Sequence, residues 1–158
     1  MSKIKFLDIY KRYGKREILS GVKLDLSDGC CSLLTGCNGA GKSTLLRICA
    51  GLEKPDKGML DVGLGRHAWK HQRHALYSRT VFLHQQPYMF DGNVVQNLAY
   101  ALPQGMHKCE SEQRIDEVLR WAGLEDIATN SAKTLSGGER QRIAIARAWL
   151  REPGIMLL

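Results

Sequence analysis

The chain has 158 residues, a length that suits one domain with a hydrophobic core. Hydrophobic residues make up 44% and charged residues 25%, which is the composition of a folded globular protein and excludes a disordered one. No apolar run approaches the roughly 18 residues of a membrane-spanning helix, so a transmembrane protein is excluded. The net charge of +7 is compatible with nucleic acid, an anionic membrane surface or phosphate ligands, and it does not choose among them.

The N-terminus has basic residues but no apolar stretch behind them, so no secretory signal is expected. The cysteines are odd in number and lack metal-binding spacing, which predicts reduced thiols in the cytosol. They are Cys30, Cys31, Cys37, Cys49 and Cys109.

The first third of the chain predicts β structure, because short apolar or alternating runs are separated by turn signals. Val22, Leu24 and Leu26 alternate with polar residues, the period of a strand with one buried face. The predicted strands are 4–9 (at a sheet edge), 22–26, 30–35 and 59–62, and the predicted turns are 13–15, 27–29 and 54–58.

After a basic stretch at 67–79 and a strand at 80–83, the apolar period becomes helical. Two stripes predict helices, the second ending at Gly123. The stripes are Val94, Leu98 and Ala101, then Ile115, Val118, Leu119 and Ala122. Residues 87–135 therefore predict a small helical unit between two α/β parts.

Residues 36–43 match the pattern glycine, four residues, glycine-lysine-serine, between a predicted strand and a predicted helix with Leu45, Leu46, Cys49 and Leu52 on one face. Such a loop curls its N–H groups toward phosphate oxygens, Lys42 reaches the β- and γ-phosphates, and the Ser43 hydroxyl ligates Mg²⁺. An ordinary glycine-rich turn is the alternative, which the context disfavours. The predicted nucleotide-binding residues are Gly36, Cys37, Asn38, Gly39, Ala40, Gly41, Lys42, Ser43 and Thr44.

A second motif, Leu-Ser-Gly-Gly-Glu-Arg-Gln-Arg at 135–142, narrows the function. Ser136 and Glu139 fit a helix capping box, and Gly137 and Gly138 leave N–H groups open beside a hydroxyl, a second anion site. The alternative is a capping box and nothing more. In this order with the phosphate loop, the motif resembles the signature of the ATP-binding cassette (ABC) family.

The resemblance implies an α/β fold: a P-loop NTPase core with an N-terminal antiparallel β part and an inserted helical subdomain, incomplete at its C-terminus. It implies that Tyr13 stacks on adenine, and that Gln85 contacts Mg²⁺ and the attacking water. Lys42 and Gln85 are then catalytic residues, Ser43 and Gln85 are metal ligands, and ATP and Mg²⁺ are the cofactors. The resemblance also implies a head-to-tail dimer, homomeric or heteromeric, in which residues 136–139 close on the γ-phosphate held by the other subunit.

Gln85 and Ser136 are 51 residues apart (136 − 85), without the heptads of coiled-coil ABC ATPases. This favours a transporter subunit at the cytoplasmic face of the membrane. In such a subunit, Tyr88, Met89 and Phe90 would dock a membrane permease. An importer would also work with a solute-binding protein. Residues 81–90 resemble the same stretch in the ATP-binding subunits of importers for oxyanions such as tungstate or molybdate. A soluble ABC ATPase acting on nucleic acid, tested by salt-dependent binding, and a non-catalytic nucleotide-binding fragment are the alternatives.

Residues 155–158 resemble the family's second nucleotide-binding strand. In the family an acidic pair comes directly after this strand, and this sequence does not contain that pair. We therefore expect the chain alone to hydrolyse ATP weakly or not at all. The predicted division is one incomplete nucleotide-binding domain over 1–158, with core parts 1–86 and 136–158 and a helical subdomain 87–135. The histidines at 67, 71 and 74 stand among basic residues and predict a basic surface rather than a metal site. A further hypothesis is that oxidation of Cys37, inside the phosphate loop, alters nucleotide binding.

Overall fold

A computed structural model describes residues 3–63 and 65–158. These residues form two compact units, one running to Phe82 and including Leu157, the other running from Leu83 to Met156 and including Leu158. The strands are β1 Lys3–Tyr13, β2 Arg16–Ser27, β3 Lys57–Asp61, β4 His67–Ala68, β5 Thr80–Phe82 and β6 Ile155–Leu157. The α-helices are α1 Lys42–Cys49, α2 Trp69–Tyr77, α3 Val94–Ala99, α4 Lys108–Ala122 and α5 Gly137–Leu150, and single 3₁₀ turns cover Glu125–Ile127 and Ala132–Thr134.

The first unit contains an antiparallel sheet in the order β2-β1-β3-β4. A two-residue turn at Gly14 and Lys15 joins β1 to β2, and Gly14 has a φ of +59°, which glycine adopts without strain. The prediction of an edge strand at 4–9 is wrong, because β3 pairs with the other side of β1. Local sequence pattern does not reveal such long-range pairing. A separate two-stranded sheet contains β5 and β6, whose Leu157 belongs to this unit.

Two further predictions in this unit need correction. Residues 30–35 form no strand, and Leu33 is 88% exposed. A strand needs a neighbour for its N–H and C=O groups, and no strand of the described residues pairs with this segment. Leu52 is exposed rather than on the buried face of α1, because the helix ends at Cys49, and Ile48 is fully buried instead.

The basic stretch at 67–79 forms β4 and α2, which has a buried face. The Gln72 side chain is buried there; its Oε1 accepts from Val62 N–H (3.1 Å) and its Nε2 donates to the carbonyl of Gly65 (2.8 Å). Trp69, 3% exposed, donates its indole N–H to the carbonyl of Ile48 (3.4 Å). These bonds connect α2 to α1 and to the end of β3.

In the second unit, α3, α4 and α5 share one apolar core. The second predicted stripe is confirmed, because all of its residues lie on α4 and pack into or against this core. Of the first stripe, Val94 and Leu98 lie on α3, but the helix ends at Ala99, so Ala101 lies in the turn that follows. Gly123 ends α4 with a φ of +60°, and Arg142 of α5 donates from Nη1 to the Gly123 carbonyl (2.9 Å). A cation at this position also complements the negative end of the helix dipole. The rings of Trp121 and Trp149, from α4 and α5, stack with centroids 5.7 Å apart.

The division at 86/87 and 135/136 stays a prediction. In the described residues, α5 packs with α3 and α4. No helix in the described part of the chain is long and apolar enough to cross a membrane.

Candidate nucleotide-binding site

The loop between residue 36 and α1 is built on three glycines in left-handed or otherwise positive φ conformations. The φ values of Gly36, Gly39 and Gly41 are +148°, +81° and +91°. A Cβ on Gly41 would lie 2.9 Å from Ile18 Cγ2, 3.0 Å from the Ile18 carbonyl oxygen and 3.0 Å from Leu19 Cδ2. Only glycine fits there, because the loop backbone lies directly against β2.

Lys42, the first residue of α1, places its ammonium inside the loop. Its Nζ donates to the carbonyl oxygens of Gly36 (2.6 Å) and Cys37 (2.8 Å). In the described residues, the N–H groups of Asn38, Gly39 and Gly41 donate to no carbonyl or side chain. The first turn of α1 adds further N–H groups that have no acceptor within a helix. The loop therefore combines unpaired backbone donors with a cation, which is the chemistry of a phosphate site.

The remaining loop residues differ in accessibility. Cys37 and Ser43 are exposed, whereas Thr44 is buried within the first unit. Ser43 thus offers an exposed hydroxyl in the first turn of α1. A hydroxyl of this kind ligates Mg²⁺ where phosphate oxygens and water supply most of the other ligands. No cluster of three His, Cys, Asp or Glu side chains occurs in the described part of the chain.

Tyr13, the last residue of β1, is 48% exposed. Its hydroxyl donates to the carboxylate of Glu53, and the ammonium of Lys11 lies 5.2 Å from the centre of its ring. Lys11 also pairs with Glu53 at 3.2 Å. The ring orientation is thus fixed by a carboxylate and a cation, while nearly half of the residue's surface is open to solvent.

The turn before α5 has the predicted capping box. Ser136 Oγ accepts from Glu139 N–H (3.3 Å), and Glu139 Oε2 accepts from both Ser136 N–H (2.7 Å) and Ser136 Oγ–H (2.6 Å). The hydrogen bonds from the Ser136 hydroxyl and backbone lower the pKa of Glu139, with a smaller contribution from the charge of Arg142. Ser136, Gly137 and Gly138 are exposed, and open space surrounds a Cβ placed on either glycine. The motif is therefore accessible to another molecule.

Gln85 follows β5 and is exposed. Beyond it, an exposed aromatic cluster consists of Tyr88, Phe90 and Tyr100, with ring centroids 5.3 Å apart for the first pair and 4.3 Å for the second. The fully buried Asn97 fixes Phe90, accepting from its N–H (2.9 Å) and donating to its carbonyl (3.0 Å).

Arg147 supports the same cluster, and sequence reasoning missed it. Its Nη2 donates to the carbonyl of Tyr88 (2.6 Å), its guanidinium lies 5.5 Å from the Phe90 ring centre, and burial lowers its pKa. Its place in the chain, in α5 and 59 residues from Tyr88, gave no signal of this contact. Arg16, beside the phosphate loop, was also missed. The structure groups the predicted loop residues and Tyr13 in the first unit, and Gln85 and the 136–139 turn in the second.

A fold of this kind, with a phosphate loop ahead of α1 and a glycine-containing cap ahead of α5, defines a P-loop nucleotide-binding protein. The family model of ABC transporters matches residues 19–158. The chain belongs to the ABC transporter family.

Relatives support this assignment. An sn-glycerol-3-phosphate import ATP-binding protein, UgpC 2 of Agrobacterium fabrum, is 38% identical, and the alignment covers 99% of this chain and 42% of that protein. The aliphatic sulfonates import ATP-binding protein SsuB 1 of Mesorhizobium japonicum is 36% identical over 97% of this chain and 55% of its own length. Among solved structures, cbiO1 of Clostridium perfringens, part of an ABC transporter complex, has a TM-score of 0.83 at 25% identity, covering 97% of this chain and 63% of that one.

The chain thus spans about half the length of the curated relatives that it matches. The names of these relatives favour transport over the nucleic-acid alternative.

Proposed function

We propose that this chain binds ATP at the loop of residues 36–44 and forms part of the ATP-binding subunit of an ABC importer. The observation that carries the proposal is the loop itself, in which unpaired N–H groups surround the ammonium of Lys42. When ATP binds, the Lys42 ammonium exchanges its carbonyl partners for the β- and γ-phosphates. Ser43 is one proposed Mg²⁺ ligand, and Gln85 is the other. The bound ion would neutralise part of the negative charge of the phosphates. Tyr13 is the proposed platform for the adenine base.

The test is calorimetric titration of the 158-residue chain with ATP and Mg²⁺. Lys42→Ala should weaken binding by about tenfold or more, since a hydrogen bond to a charged group contributes about 1.5–3 kcal/mol. Lys15→Ala is the matched control, because it removes the same charge from the exposed turn between β1 and β2. Absence of binding by the unmodified chain, or equal binding by the two variants, would contradict the proposal.

For the whole subunit we propose a head-to-tail dimer in which the 136–139 turn contacts the γ-phosphate bound by the other subunit, with Lys42 and Gln85 acting in hydrolysis. The exposure of Ser136, Gly137 and Gly138 supports this role. Ser136→Ala should leave ATP affinity of the monomer unchanged and reduce ATP-dependent dimerisation, measured by sedimentation. Ser131→Ala is the control, since Ser131 also caps a helical turn in the same unit. If the two variants dimerise equally, the role of Ser136 is wrong.

We also propose that the aromatic cluster of Tyr88, Phe90 and Tyr100 docks a membrane permease at the cytoplasmic face. Its support is the exposure of three large rings that contact one another, with Phe90 held by Asn97 and the backbone of Tyr88 held by Arg147. A Tyr88→Ala variant should co-purify less with a co-expressed permease while binding ATP normally. The relatives' names include solutes as different as glycerol phosphate, sulfonates and lactose, so the proposal is import of a solute without further assignment.

A further inference from the structure

The start of β2 lies along the phosphate loop and places an arginine beside it. A Cβ built on Gly39 would lie 3.7 Å from Arg16 Nη2, which is van der Waals distance. Two and three residues further along β2, Ile18 and Leu19 would lie 2.9–3.0 Å from a Cβ built on Gly41. The position of Arg16 is therefore set by the same strand-to-loop contact that makes Gly41 necessary.

The charge of Arg16 is available to a ligand. Its nearest acidic neighbour in the sequence, Glu17, lies 3.8 Å from Arg12 Nε instead. In the part of the chain that the structure describes, Arg16 has no carboxylate partner, and its side chain is exposed. An unpaired guanidinium next to unpaired loop N–H groups raises the positive potential on this side of the loop.

Arg16 is also the cross-strand neighbour of Tyr13. The two residues are direct partners in the β1–β2 register, one on each side of the two-residue turn. On the proposed function, Tyr13 carries the base and Lys42 reaches the terminal phosphates. Arg16, between Tyr13 and the middle of the loop, is then next to the phosphate nearest the ribose.

We propose that Arg16 binds the α-phosphate of the nucleotide held by this loop, and so contributes affinity shared by ATP and ADP. The guanidinium offers five donors in a planar fork that matches phosphate oxygens. This inference rests on the proposed function, because it needs a nucleotide on the loop.

The experiment measures ATP and ADP affinity of the 158-residue chain by displacement of a fluorescent ADP analogue. Arg16→Ala should weaken both nucleotides by the same factor, about tenfold, and Arg16→Glu should weaken both further, because it adds a negative charge. Lys15→Ala and Lys15→Glu are matched controls one residue away, and should stay near the unmodified affinity. Far-UV circular dichroism of each variant checks that the hairpin folds.

The outcomes separate this inference from the proposed function. If the unmodified chain binds neither nucleotide, the proposed function fails. If it binds both nucleotides and Lys42→Ala weakens the binding, while the Arg16 and Lys15 variants have equal affinities, the proposed function stands and the role of Arg16 is overturned. A loss confined to ATP would also overturn it, because such a loss places Arg16 at the γ-phosphate. Equal losses for ATP and ADP, larger for Arg16→Glu than for Arg16→Ala, support it.

Discussion

Replacing Gly41 by alanine tests whether the phosphate loop is fixed by its contact with β2. The added methyl would meet the Ile18 carbonyl oxygen at 3.0 Å and Leu19 Cδ2 at 3.0 Å, in a residue whose φ is +91°. A left-handed conformation costs a non-glycine residue about 1–2 kcal/mol. Overpacking against a rigid strand adds about 1–3 kcal/mol. We therefore expect Gly41→Ala to lower the free energy of unfolding by about 2–5 kcal/mol.

Gly39→Ala isolates the steric part of this cost. Gly39 belongs to the same loop and has a φ of +81°, but its Cβ would meet only Arg16 Nη2 at an ordinary 3.7 Å. The backbone cost and the loss of unfolded-state entropy are common to both variants, so Gly39→Ala should cost about 1–2 kcal/mol. Urea denaturation followed by far-UV circular dichroism gives both values. If Gly41→Ala is no more destabilising than Gly39→Ala, the loop is not held against β2 as described.

Three further changes test other parts of the molecule. Asn97→Ala should lower the free energy of unfolding by about 2–4 kcal/mol, because the N–H and C=O of Phe90 lose their partners. The control is Asn130→Ala at an exposed position, which should change the free energy of unfolding by less than about 0.5 kcal/mol. Urea denaturation measures both, and equal effects of the two substitutions would contradict the prediction. The bonds from Ser136 lower the pKa of Glu139 below its unfolded value, so the stability that they supply is present above the unfolded pKa and is lost as the pH falls through the folded one. The stability advantage of the unmodified chain over Glu139→Gln should therefore shrink between neutral and acidic pH, and an advantage independent of pH would argue against the capping box as its source. Burial raises the pKa of Cys49 to about 12, so its thiol should react slowly in the folded protein. Iodoacetamide added to the folded protein should modify the four exposed cysteines and leave Cys49 unmodified until denaturant is added, as mapped by mass spectrometry. Early modification of Cys49 would show that its site opens readily.

Local chemistry predicted the geometry of two turns well. The glycine, lysine and serine spacing indicated a tight loop ahead of α1, inside which Lys42 lies, and Ser136 and Glu139 form the capping box that their spacing indicates. The stripe from Ile115 to Ala122 and the terminating Gly123 correspond to α4 and its end. Each of these features depends on residues within a few positions of one another, so the sequence contains all the information that they need.

Features that depend on distant partners were missed or wrong. An apolar run at 30–35 has the composition of a buried strand, yet no described strand pairs with it. Likewise, β1 is interior because β3, more than forty residues later, pairs with it. The contact of Arg147 with the backbone of Tyr88 spans 59 residues and carries no motif. Pairing across such separations is decided by the packing of whole elements, not by local pattern.

The positions of the tryptophans give the protein built-in optical probes. Trp69 is 3% exposed and belongs to the first unit, whereas Trp121 and Trp149 are 56% and 42% exposed and stack in the second. The fluorescence of a buried tryptophan such as Trp69 is blue-shifted and shielded from a soluble quencher such as acrylamide. The same quencher can reach the stacked pair of Trp121 and Trp149. With a Trp69→Phe variant beside the unmodified chain, the loss of structure in each unit can be followed separately without attaching a dye.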